Sequence, residues 1–239
     1  MADNCQFSVV IPVFNEAQAL LSLQERLAKA MDGCLVTYEI VYVDDGSTDA
    51  TFECLGALKK RFANIRIISF RRNRGQSTAL YAGFKAARGG WIITLDADLQ
   101  NPPEEIPKLL AFYTQFDCIT GVRQKRNDAL MRKIDSRIAF FFRKAVLGDT
   151  TRDVGCSLRL FRRDIIDAIP FFRNFHRFFP FLVHLSGFSV KEVPVAHDKR
   201  IAGVSKYGTW KRLQEGLADL QGVAWLKKRL ITYEVNYED

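Results

Sequence analysis

Apolar positions in the first half of the chain switch between two periods. Residues 7–14 (FSVVIPVF) form a near-continuous apolar run, the build of a strand buried on both faces. Leu20, Leu23, Leu27 and Met31 then recur at helical spacing. The same exchange follows three more times. Strands are predicted over 38–46, 64–70 and 91–98. Helices are predicted after GSTD to about Phe62, over 75–87 and over 103–116, with Ser47 to Asp49 as candidate caps. A fifth strand, DCITGVR, closes the series. Such alternation predicts an α/β fold with a mostly parallel sheet flanked by helices, which binds ligands beyond the C-terminal strand ends.

After Arg123 the rhythm changes. Residues 128–147 read as a helix carrying Ile134, Ile138, Phe141 and Phe142 among basic residues. A strand is expected within DVGCSLRLFRR, and a helix interrupted by Pro180 within 174–187. A period-two strand is expected over 188–197, a polar loop in KRIAGVSKYG and a final amphipathic helix over 209–230. No repeat or linker interrupts the 239 residues, so one domain is expected. The change of rhythm divides it into halves, 1–123 and 124–239.

Charge sharpens that division. The net charge is +8, but residues 1–121 balance at −2 and residues 122–230 at +13. The basic half is expected to face something anionic: a phosphate, a nucleic acid or a membrane surface. The five cysteines (5, 34, 54, 118, 156) are scattered without a CxxC pair, which fits a reducing compartment. No run approaches the ~18–20 apolar residues of a membrane span, and the N-terminus lacks a signal-peptide pattern. These features predict a cytoplasmic protein.

The candidate chemistry lies at strand ends. Asn15–Glu16 follow the first strand, Asp44–Asp45 the second, and Asp96 and Asp98 the fourth. In a parallel sheet these ends share one edge, where unpaired carboxylates repel one another and raise each other's pKa. A hard divalent cation with oxygen ligands would gather them. Strand alternation sends Asp96 and Asp98 to one side; Gln100 adds a neutral oxygen, and Pro102 and Pro103 stop the strand.

VVIPVFNE, VYVDDGSTD, NRGQSTALYAGF, LDADLQNPPE, DVGCSLRLFRR and GVSKYG together resemble family 2 glycosyltransferases of the GT-A fold. Among these the chain is most similar to the polyprenyl-phosphate sugar transferases, of which dolichyl-phosphate mannose synthase is the type. The likeness runs from Phe7 to about Tyr207. It implies a metal-dependent hexosyltransferase that inverts the sugar carbon by a single in-line displacement. By resemblance, Pro12, Asn15, Glu16, Asp44 and Asp45 line the base and ribose pocket of a UDP- or GDP-sugar. Asp96, Asp98 and Gln100 match the motif that carries Mg²⁺ or Mn²⁺ and the diphosphate. Arg123 matches a phosphate-contacting arginine. Arg132 and Ser136 match the acceptor-phosphate pair, and Arg200 and Lys206 fall in the acceptor loop.

A polyprenyl (undecaprenyl or dolichyl) phosphate suits the basic half. A phosphate monoester is already ionised near neutral pH and needs guanidinium groups, not a base. His176, His184 and His197 show no catalytic arrangement; Asp96 is the reserve base should the acceptor be a hydroxyl. The helices over 128–147 and 209–230 either lie in a membrane interface or pack on the sheet, and Trp210 and Trp225 favour the interface for the latter. A peripheral protein on the cytoplasmic membrane face is expected, unless a membrane anchor protein or a further segment holds it. Rival readings are a soluble family 2 transferase acting on a polysaccharide or protein hydroxyl, with a base near Asp153 or elsewhere in the acceptor half, a nucleic-acid binder and an inactive scaffold. The carboxylates at the strand ends argue against nucleic acid, and the intact Asp-Ala-Asp argues against a scaffold.

Overall fold

The computed structural model describes residues 5–124, 140–198 and 209–230, with 209–215 described as backbone only. The expected alternation is present: β1 (Phe7–Val13), α1 (Leu20–Asp32), β2 (Tyr38–Asp44), α2 (Thr51–Arg61), β3 (Ile65–Ser69), α3 (Gln76–Ala86), β4 (Trp91–Thr94), α4 (Ile106–Leu110) and β5 (Cys118–Arg123). Residues 140–147 form α5. Then come β6 (Arg159–Arg162), α6 (Ile165–Ala168), α7 (Phe179–Leu185), β7 (Val190–Val195) and α8 (Thr209–Lys227).

The seven strands form one sheet in the order β3-β2-β1-β4-β6-β5-β7. β1 pairs in parallel with β2 and β4, β2 with β3, and β5 with β7, while β6 runs antiparallel to both neighbours. Six strands therefore point one way and end on a common rim; β6 begins there. The chain reverses its direction of strand addition between β1 and β4, a switch point that opens a crevice at that rim. Leu20, Leu23, Leu27 and Met31 of α1 are fully buried on one face of the sheet. On the other, a Cβ at Gly83 of α3 would collide with Val10, so only glycine lets the helix lie this close to β1.

Four expectations are revised. β4 stops at Thr94, four residues short, because its ladder with β1 ends there and a turn follows. The helix expected over 103–116 is a 3-10 turn, Pro103–Glu105, followed by α4 alone. Phe112, Tyr113 and Phe116 pack against the core edge through tight turn bonds instead, Tyr113 edge-on to Phe7 and Trp91. Pro180 does not interrupt a helix; it lies in the first turn of α7, where its missing N–H costs nothing. Ser47 does not cap α2: its Oγ accepts the Asn15 N–H at 3.0 Å, while Asp49 takes the Thr51 N–H.

Phe84, Phe161, Phe171, Phe175 and Phe179 form an aromatic layer beneath α3. His176 borders it, 3.0 Å from Ser77 Oγ. Burial first, and then the charges of Arg159 and Arg177, push its pKa from 6.5 down to about 3. The unfolded chain takes up this proton first, so its contribution is complete above pH 6.5 and lost as pH falls towards 3. Roughly 2 kcal/mol should be lost by pH 5. Between pH 7.5 and pH 5, urea unfolding should show the native chain losing about 2 kcal/mol more than His176→Gln does.

The described residues fall into two compact units, 5–124 with 153–198, and 140–152 with 209–230. Residues 153–198, on the basic side of the charge divide, thus belong with the sheet. In the second unit Lys227 Nζ donates to Leu147 O at 2.7 Å, closing the C-terminus of α5, and Arg143 pairs with buried Asp149 at 3.0 Å. That unit leaves Phe141, Phe142 and Val146 of α5 and Leu217 and Trp225 of α8 exposed.

Candidate active site

The rim is built by loops leaving the strand ends. After β2, Asp45 is 3% exposed and clamps the β3–α3 loop. Its carboxylate accepts the N–H groups of Arg74 at 2.7 Å and Gly75 at 2.8 Å, and Asn73 Nδ2 at 2.9 Å. Burial raises its pKa, the two amides lower it, and the charge of Asp44 raises it again. Asp44 accepts from Ser47 N at 3.0 Å and Ser69 Oγ at 2.9 Å. Loop amides and hydroxyls therefore hold this acidic pair in place. Gly46 follows at φ +70°, where a Cβ would lie 2.7 Å from Asn73 N, so glycine is required for the two loops to meet. Asn15, at φ +56°, accepts Thr48 N at 2.8 Å, and Glu16 N donates to Thr51 Oγ1. Pro12, Asn15 and Glu16 are half-buried beside this loop pair.

After β4 the ladder ends but the alternation persists. Leu95, Ala97 and Leu99 are buried, and Asp96, Asp98 and Gln100 are half-buried. Buried leucines thus anchor a turn whose polar side faces the rim. Leu99 is at φ +60°, a region a leucine adopts only under constraint, and its 1% exposure supplies that constraint. Burial first, then the charge of Asp98, raises the Asp96 pKa to about 6, against lowering by Ser157, Arg159 and Arg123. Gln76 Nε2, at the start of α3, donates to Asp96 Oδ1 at 2.8 Å. Asp98 accepts the Gln100 N–H at 3.1 Å.

No group of three His, Cys, Asp or Glu side chains suited to a metal is assembled among the described residues. Two carboxylates and an amide oxygen on one face of a turn still fit a hard cation that completes its shell with water and phosphate oxygens. The mutual repulsion that raises Asp96 is the cost a cation would relieve.

Arg123, at the end of β5, faces the same rim. Its Nε and Nη2 each lie 2.7 Å from the Asp153 carboxylate, which also accepts the N–H groups of Arg123 and Gly155. The side chains are 12% and 6% exposed. Arg159, 5% exposed, donates Nη2 to Val154 O and lies over the Phe179 ring; burial lowers its pKa.

The structure thus brings Asn15, Asp44, Asp45, Asp96, Asp98, Gln100 and Arg123 to one rim. Arg132, Ser136, Arg200 and Lys206 lie outside the described residues. Sequence reasoning missed Gln76, Asn101, Asp153 as the partner of Arg123, and Ser157. Gln76 had a signal: it follows Gly75 on a loop that must return to the same rim. Ser157 had none, because its place depends on the antiparallel entry of β6.

Residues 8–169 match the sequence profile of glycosyl transferase family 2. The chain belongs to glycosyl transferase family 2. It is 41% identical over 215 residues to the undecaprenyl-phosphate 4-deoxy-4-formamido-L-arabinose transferase of Salmonella choleraesuis (strain SC-B67), covering 89% of this chain and 65% of that protein. The chain thus spans slightly less than two thirds of that relative's length. Among solved structures, a mycobacterial protein superposes with a TM-score of 0.69 at 19% identity, over 92% of this chain and 76% of the other. Glucosyl-3-phosphoglycerate synthase of Mycobacterium tuberculosis, solved with Mn²⁺, UDP and glucosyl-3-phosphoglycerate, does so with 0.68 at 16%, over 96% and 81%. The family 2 chain therefore has the GT-A fold, with a seven-stranded, mostly parallel sheet.

Proposed function

We propose that this family 2 chain transfers a sugar from a UDP- or GDP-sugar to a polyprenyl phosphate, with inversion at the sugar carbon. One observation carries the reading: the outward face of the Asp96–Gln100 turn and the guanidinium of Arg123 lie on the rim of the switch-point crevice, one suited to a metal diphosphate and the other to an anion. The name of the 41% identical relative supports undecaprenyl phosphate as the acceptor, and the Mn²⁺ and UDP of the synthase support the donor chemistry.

In this reading Pro12, Asn15 and Glu16 wall the base and ribose pocket, and Asp44 and Asp45 form its floor by fixing the loops around it. Asp96, Asp98 and Gln100 would hold Mg²⁺ or Mn²⁺, which supplies positive charge to the departing nucleotide diphosphate. Arg123, its plane set by Asp153, presents its guanidinium charge to the phosphate. Arg132, Ser136, Arg200 and Lys206 hold the acceptor phosphate. The hydroxyl-acceptor alternative needs a base near Asp153 or elsewhere in the acceptor half, and the Asp153 carboxylate itself already accepts four hydrogen bonds. The chain sits peripherally on the cytoplasmic membrane face, with Phe141, Phe142, Val146 and Trp225 meeting the lipid interface. Among the described residues no helix is long and apolar enough to cross a membrane.

The test is incubation with radiolabelled UDP- and GDP-sugars, Mg²⁺ or Mn²⁺, and undecaprenyl phosphate. Label should enter the organic phase; label passing only to water or a hydroxyl acceptor refutes the proposal. Arg132→Ala should raise the KM for lipid phosphate about tenfold and leave that for nucleotide-sugar within twofold. Equal increases would remove its acceptor role.

A further inference from the structure

The antiparallel register of β4 on β6 pairs Thr94 with Arg159 and Trp91 with Arg162. Continued two residues past the ladder, it sets Ser157 opposite Asp96. Contacts follow that register. Asp96 N donates to Ser157 Oγ at 3.2 Å, and Thr94 Oγ1 donates to Ser157 O at 2.5 Å. The same Oγ accepts Asn101 Nδ2 at 2.9 Å. Asn101 is 3% exposed, and its Oδ1 accepts the Cys156 thiol at 3.5 Å. One hydroxyl therefore grips both ends of the turn that carries Asp96, Asp98 and Gln100.

A serine oxygen has two lone pairs and one proton. Both lone pairs are taken by N–H donors, so the hydroxyl proton must seek an acceptor. The carboxylate beside it is that of Asp96, the residue whose own N–H it accepts. Gln76 Nε2 also holds Asp96 Oδ1, at 2.8 Å. We infer that Ser157 is a positioning residue of the donor site, fixing the Asp96–Asn101 turn and aiming the Asp96 carboxylate so that a divalent cation and its diphosphate meet a preformed face. This rests on the proposed reading of that turn as the metal and diphosphate motif.

The test measures Mn²⁺ uptake by electron paramagnetic resonance in the full chain with saturating UDP. Binding of UDP without metal is measured beside it by calorimetry. Ser157→Ala should weaken Mn²⁺ about 10–100-fold, as loss of an outer-shell partner does, while metal-free UDP affinity stays within about threefold. Ser157→Cys keeps the volume but offers only a weak thiol donor; it should show the same split, which separates lost hydrogen bonding from a collapsed site. Undiminished Mn²⁺ binding in both variants, beside a native chain that binds it, overturns the positioning role alone. Equal loss of Mn²⁺ and metal-free UDP binding overturns it too, as a structural effect. A native chain that takes up no Mn²⁺ overturns both this inference and the reading beneath it.

Discussion

Asp98→Ala should lower turnover about 10³-fold while leaving the fold intact. Removing one electrostatic partner of a developing charge costs about 10²–10³ in kcat, and loss of a metal-holding carboxylate belongs at the upper end. The side chain is half-buried on the outer face of its turn, and the turn is anchored by Leu95, Ala97 and Leu99. The turn therefore keeps its apolar anchors when the carboxylate is removed. Removing it also relieves the repulsion that raises Asp96. The melting temperature should thus stay within about 3 °C, the shift that about 1 kcal/mol brings to a chain of this size. Turnover near the native value, with Mn²⁺ binding unchanged, would remove Asp98 from the metal site.

Asp153→Ala should cost about 3–5 kcal/mol of stability. Truncating one partner of a buried ion pair leaves the other charge without compensation. Here the guanidinium of Arg123, with a 12% exposed side chain, loses both 2.7 Å contacts, and Arg123 N loses its acceptor. Urea unfolding at pH 7 measures this as a fall in midpoint at constant slope. The outcome separates two readings of one residue. A carboxylate that holds Arg123 loses stability when removed, whereas a general base loses turnover while the fold stands. Loss of turnover with unchanged unfolding would revive the hydroxyl-acceptor reading.

Much of this was legible from residue types. The runs Phe7–Val13 and Tyr38–Asp44 read as doubly buried strands because no polar side of a helix or half-exposed strand interrupts them. Asp96 and Asp98 read as a pair facing one way, and they do, although the hydrogen-bonded strand ends at Thr94. Buried leucines at alternate positions keep the side-chain period after the ladder has stopped. Asp44 and Asp45 were read for their charge, yet their carboxylates are engaged by N–H and hydroxyl groups from loops up to 30 residues away. Acidity is visible in a sequence; the donors that will satisfy it are not.

By itself the sequence determined the alternating α/β architecture, the rim on which the acidic residues gather and the family to which the chain belongs. Period and strand-end chemistry are local properties, carried by neighbours along the chain. The tertiary structure alone decided that β6 enters antiparallel between β4 and β5, because strand direction depends on where a distant segment finds an open edge. That entry brings Asp153 to Arg123 and Ser157 to Asp96, pairs 30 and 61 residues apart. Hydrogen bonds over such separations are fixed by register, and register exists only once the sheet has formed.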